Sequence, residues 1–245
     1  MANWLKRALE TLGGIFPEAI FYQPTQAPTV ALTIDDVPVP GESTPCPTRR
    51  ILDAIANHNQ SLSNPTANVR ATFFVIGSHL NGDHHLLTDM VAQGHELANH
   101  GMVDTWPARQ SRSQFEHHFY AAHARLVEQV PHQTIRWYRP GRAFYTPHMY
   151  ELVCQADGYE PYFALASMLP LDTISAISNP AFTAEYVMRH IFPGAILLLH
   201  GGSVERSKNS AAALRLILPR LHSQGYRVTT LSDLWLSTPD TTADC

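Results

Sequence analysis

The feature that most constrains the fold is a pair of almost unbroken apolar runs, Ala71-Thr72-Phe73-Phe74-Val75-Ile76 and Ala195-Ile196-Leu197-Leu198-Leu199. A strand with one wet face alternates apolar and polar residues, so a run without alternation belongs to a strand covered on both faces, as in a parallel sheet clothed by helices. Strand-like stretches also fall near residues 29–34, 96–98, 135–138, 159–163 and 226–229. Helical patterns separate them: a helix capped by Thr48 that turns Ile51, Leu52 and Ile55 inward, one near 83–93, a long one starting at Ser113, and others over 147–156, after Asn179, over 211–223 and after Ser232. Roughly seven alternations of strand and helix predict a parallel α/β fold, and a barrel would gather the strand C-terminal ends at one mouth.

The 245 residues suit a single domain of this kind. The expected organisation is an N-terminal helix and Pro-containing connector over 1–28, one domain over 29–236 and a tail over 237–245. Trp4, Leu5, Ala8, Leu9 and Leu12 fall at helical spacing. Lys6 and Arg7 are followed by an interrupted apolar stretch rather than a signal-peptide core, which points to a cytoplasmic location. No run approaches the roughly 18 apolar residues of a membrane span. A net charge of −4 with 16% charged residues supplies no basic footprint for nucleic acid or anionic lipid. Cys46, Cys154 and Cys245 lack metal-site spacing, so thiolate zinc is not indicated. Pairs such as His84-His85 and His117-His118 lie in polar, helix-like segments and read as solvated residues.

Function is concentrated at the strand ends. Asp35 and Asp36 close the first strand, His100 and Asp104 follow the third, Arg139 the fourth, and His200 the apolar run at 195–199. Alone, an Asp-Asp pair reads most simply as a turn cap. Four strand ends that bear ionisable groups and share one rim are much harder to assign to capping. Alternation along a strand separates the tasks of adjacent residues, so one carboxylate can hold a metal while the other handles protons. His100 and Asp104 are four apart and share a face if their loop makes a helical turn. With Asp36 they would form a three-ligand set with positions open for water and substrate. Amide or ester hydrolysis then needs a base, Asp35, with Arg139 as its charge-assisted partner, and an acid, for which the imidazole of His200 is suited.

Read together, these segments resemble the polysaccharide deacetylases of carbohydrate esterase family four. Residues 33–38 are similar to the family's first motif, which carries the base and a metal ligand, and residues 96–104 to the second, which completes the metal site. Arg139-Pro140-Gly141 is similar to the third, whose Arg orients the base, and Leu197-Leu198-Leu199-His200 to the fifth, which carries the general acid. Asp172 is the candidate for the fourth, which orients that acid. The resemblance covers about residues 29–236 and implies a distorted (β/α) barrel of about seven strands that removes acetyl groups from a sugar or polysaccharide, N-acetyl in preference to O-acetyl. It implies catalytic roles for Asp35, His200, Arg139 and Asp172, and a divalent metal held by Asp36, His100 and Asp104.

The departures are specific. Val37 stands for a Gly, Asp104 for the second metal histidine, Gly141 and Arg142 for a Pro and an aromatic, and Thr173 for a Trp. Zinc is the first expectation for the metal, and the harder Asp, Asp, His set also admits manganese, cobalt or magnesium. Two other readings stay open, an inactive deacetylase-like binding protein and an amidase acting on a small metabolite.

Overall fold

The computed structural model describes residues 3–41, 46–81, 85–168, 171–173 and 179–237. His84, the expected helix start at 83 and the tail from 238 onward therefore lie outside the described residues. The strands are β1 (Ala19–Ile20), β2 (Thr29–Val37), β3 (Ala71–Val75), β4 (Glu96–Asn99), β5 (Phe163–Ala164), β6 (Ile196–His200) and β7 (Arg227–Thr229). The helices are α1 (Asn3–Ile15), α2 (Arg49–Gln60), α3 (Leu86–Ala92), α4 (Arg112–Gln129), α5 (Pro147–Gln155), α6 (Pro180–His190), α7 (Val204–Ser223) and α8 (Leu231–Leu236). Among the described residues no helix is long and apolar enough to cross a membrane.

β2 is the hub. It pairs in parallel with β3, β6 and β7, and β3 pairs with β4. Past β4 the ladder thins to single bridges, Asn99 to Tyr138 and Tyr138 to Phe163. β5 then pairs with β1, and Tyr22 bridges back to Ala195 at the foot of β6. The pairings run in a circuit, as a distorted α/β barrel requires. Leu32, Ile34, Phe73, Phe74 and Val75 are fully buried, which is why their stretches read as apolar without alternation. α7 packs between α2 and α6 over this sheet.

Several expected elements shift. The strand expected over 135–138 is reduced to the bridge at Tyr138, with the backbone carbonyls of Arg136, Trp137 and Tyr138 accepting from Glu160, Asn99 and Ala164 at 2.8, 2.9 and 3.1 Å. The strand near 159–163 moves to Phe163–Ala164, and β1 arises from the connector; its register is held by Phe163 N–H to Glu18 O (2.8 Å) and Leu165 N–H to Ile20 O (2.9 Å). Thr48 occupies the N-cap of α2 but makes no cap bond, since its Oγ1 accepts from Val39 N–H at 3.1 Å instead. α4 starts one residue earlier than expected, at Arg112, on a reciprocal capping box between Ser111 and Gln114. Asn179 caps α6 as expected, accepting from Ala181 N–H at 2.8 Å.

Candidate active site

The strand C-terminal ends meet at one mouth. Asp35 on β2 and His200 on β6 are register partners, so their side chains leave the sheet on the same face. His100 follows β4 and Arg139 follows the Tyr138 bridge; His100 N–H donates to Val75 O and Arg139 N–H to Asn99 O, at 2.9 and 3.1 Å. Asp36, still within β2, has a left-handed φ of 65° where the β2–β3 register shifts. That irregularity sends consecutive carboxylates to separate partners.

Arg139 is buried and fully engaged. Its Nη1 donates to Asp35 Oδ1 at 2.6 Å and to Thr33 Oγ1 at 2.9 Å, Nη2 to Leu165 O at 3.0 Å, and Nε to Ala164 O. The guanidinium carbon lies 4.0 Å from the centre of the Phe74 ring, within cation–π range. Its own carbonyl receives the Nδ1 hydrogen of His100 at 2.9 Å, since a carbonyl can only accept.

That bond leaves Nε2 of neutral His100 as an acceptor, and it faces oxygens. Asp36 Oδ1 is 3.3 Å away and Asp35 Oδ2 is 3.8 Å away. A lone pair set against two carboxylate oxygens calls for a cation between them, either a proton or a metal ion. Burial pushes the His100 pKa down, but Asp35 and Asp36 outweigh it and the net shift is upward. Burial pushes Asp36 up, while the hydrogen bond and charge of His100, with His200 and Arg206, hold it well below the usual carboxylate range.

The second cluster is a dyad. His200 Nδ1 donates to Asp172 at 3.0 Å, and the His200 backbone N–H donates to the same oxygen, Oδ2, at 2.8 Å. Both residues are buried. Burial pushes the His200 pKa down, and the hydrogen bond and charge of Asp172, with the charges of Asp35 and Asp36, reverse it, so the imidazole holds its second proton above the ordinary histidine range.

The structure thus brings together Asp35, Asp36, His100 and Arg139, and pairs His200 with Asp172. It does not bring Asp104 to them. Gly101 has φ of 86° and residues 102–105 make bends, so the helical turn assumed for the four-residue spacing does not form. The Asp104 side chain is 49% exposed and pairs with Arg142 at 3.6 Å. Among the described residues no group of three His, Cys, Asp or Glu side chains is placed to hold a metal. Asp36 and His100 fit a divalent cation as a pair, one hard oxygen and one imidazole nitrogen turned to the same point; the third donor is not in place. Sequence reading missed Arg206, whose Nη1 is 3.1 Å from Asp36 Oδ2. The sequence reading starts that helix at 211, whereas it begins at Val204, so nothing in the sequence placed Arg206 in its first turn.

The polysaccharide deacetylase profile matches residues 22–161, more than half of the chain. The chain belongs to this family, whose members are metal-dependent carbohydrate deacetylases. It is similar to a chitooligosaccharide deacetylase of Rhizobium leguminosarum bv. phaseoli, 30% identical across 84% of this chain and 87% of that protein. A peptidoglycan-N-acetylglucosamine deacetylase of Bacillus cereus is 27% identical across 94% of this chain and 97% of its own length. Among solved structures, a family 4 acetyl xylan esterase from Clostridium thermocellum in complex with a cobalt ion superposes with a TM-score of 0.70 at 26% identity, covering 85% of this chain and 91% of that one.

Proposed function

We propose that this protein hydrolyses the acetamide of an N-acetylated carbohydrate, with Asp35 as base, His200 as acid, Arg139 and Asp172 as the residues that orient them, and Asp36 and His100 as the holders of a divalent ion. The observation that carries the reading is the convergence of two free carboxylate oxygens on His100 Nε2 beside a buried Asp172–His200 dyad. A bound divalent ion would polarise the acetyl carbonyl and lower the pKa of the attacking water. Asp35 keeps Oδ1 on Arg139 and uses Oδ2 to take the water proton as the new C–O bond forms. His200 gives its Nε2 proton to the sugar nitrogen as the C–N bond breaks, releasing amine and acetate, and Asp172 stabilises the imidazolium that precedes this step. Acetyl transfer from oxygen would use the same residues with an alcohol leaving.

Zinc, manganese, cobalt and magnesium all remain within the chemistry of an Asp and His pair. The exposed position of Asp104 favours the inactive-homologue reading as the second one.

Acetate release from chito-oligosaccharides decides between them, measured with each metal for the wild type, Asp35→Asn, His200→Ala and Asp104→Ala. The expected losses for Asp35→Asn and His200→Ala are on the order of 10²–10⁴-fold. Undiminished release by metal-stripped protein or by Asp35→Asn ends this mechanism; no release with any metal, from folded protein that binds chito-oligosaccharide, supports the binding-protein reading.

A further inference from the structure

The two carboxylates at the mouth are held in the same way. Asp35 gives Oδ1 to Arg139 and turns Oδ2 toward His100 Nε2. Asp36 gives Oδ2 to Arg206 and turns Oδ1 toward the same nitrogen. Each carboxylate therefore has its own arginine, and the division of oxygens leaves one of each facing His100. Arg139 comes from within the barrel, whereas Arg206 is the third residue of α7, on the far side of a turn through Gly201 and Gly202.

That turn is fitted to Asp36. A Cβ at Gly202 would lie 2.5 Å from Asp36 Cβ and 2.9 Å from its carbonyl oxygen, so only glycine allows this approach. Gly201 N–H donates to Asp35 O at 2.9 Å and Gly201 O accepts from Ser207 Oγ at 2.8 Å, which ties both ends of the turn to the site and the helix. Ser203 Oγ then accepts from the Arg206 N–H at 3.2 Å as the N-cap of α7. Arg206 thus sits in the first turn of a 20-residue helix, where the macrodipole disfavours a cation, and the Asp36 carboxylate offsets that placement. The Arg142–Asp104 pair lacks these features: it spans 3.6 Å, both side chains are about half exposed, and such a pair contributes little.

The geometry points to Arg206 as a positioning residue for the ion: by holding Asp36 Oδ2, it fixes the carboxylate so that Oδ1 and His100 Nε2 face one point. This inference rests on the reading of Asp36 and His100 as the ion's holders. Outer partners of this kind set ligand orientation, and their loss weakens metal binding by roughly 10–100-fold.

The test is Co²⁺ binding to the full chain by calorimetry and by the visible absorption of the bound ion, for wild type, Arg206→Ala, Arg206→Lys and Asp36→Asn. Arg206 is 36% exposed, so Arg206→Ala is expected to fold. The expected result is binding about 10–100-fold weaker in Arg206→Ala, with an altered absorption band, and substantial recovery in Arg206→Lys. Deleting a positive charge beside a cation site would by charge alone tighten binding, so weakening reports orientation. Unchanged or tighter binding in Arg206→Ala, or weakening that Lys does not relieve, overturns the role of Arg206; if Asp36→Asn loses binding in the same series, the ion site itself stands. Wild-type binding in Asp36→Asn overturns both.

Discussion

Replacing Arg139 by Met tests how much of the site is also structure. The guanidinium is buried and donates to Asp35, Thr33 and the carbonyls of Ala164 and Leu165. Met fills much of the same volume but leaves Asp35 a buried charge with no cation at 2.6 Å, and breaking a buried pair by removing one partner costs about 3–5 kcal/mol. Two abandoned carbonyls act in the same direction, at about 1–3 kcal/mol each where water cannot reach them. Relaxation recovers part of this, so about 4 kcal/mol is the expected loss in urea unfolding. For a chain of this size that corresponds to a fall in Tm of roughly 8–16 °C. Adding Asp35→Leu to Arg139→Met removes the stranded charge, and the double variant should be more stable than Arg139→Met alone. A loss below about 1 kcal/mol for Arg139→Met, or a double variant whose losses simply add, would refute the view that this pair is buried and coupled.

Two further outcomes follow from the neighbouring contacts. In the proposed mechanism His200 acts when protonated and Asp172 raises its pKa, so activity is present below the folded-state pKa and lost as pH rises through it; Asp172→Asn removes the hydrogen bond to a charged group and its charge, leaving burial opposed only by Asp35 and Asp36, and the alkaline limb of the kcat/KM profile should move to lower pH. A limb that stays in place would disconnect the dyad from proton transfer. Thr33→Val removes the hydroxyl that donates to Leu197 O at 2.7 Å and accepts from Arg139, with little change of shape. Its expected cost in urea unfolding is about 1–3 kcal/mol, and Thr33→Ser should recover most of it.

The parallel α/β architecture was legible in the sequence because β3 and β6 are buried on both faces, and burial of that kind leaves runs without alternation. β1 was not, and β5 was expected a few residues early, since a two-residue ladder has no periodicity to detect and is held by backbone bonds to Glu18 and Ile20. The gathering of Asp35, Arg139 and His200 could be anticipated because each stands at or near a strand end, and the family resemblance supplies Asp172, which lies in a single helical turn. The helical turn expected to bring Asp104 beside His100 does not form: a four-residue spacing implies a shared face only on a helix, and through the bends at 102–105 its carboxylate meets Arg142. Arg206 belongs to no recognisable pattern. Its partner lies 170 residues earlier, and the contact depends on the close approach of Gly202 to Asp36.

The central position of β2 has a consequence for how the protein breathes. Its ladder with β3 and β6 means that the backbone beneath Asp35 and Asp36 is released only when β2 parts from both neighbours together. Openings of that extent cost close to the whole unfolding free energy, whereas exposed loops open for almost nothing. The floor of the mouth is therefore a fixed anvil. Any accommodation of a glycan of varied shape falls to the loops, where Trp106 stacks on Phe144 and Arg109 lies over the Trp106 ring, all outside the sheet.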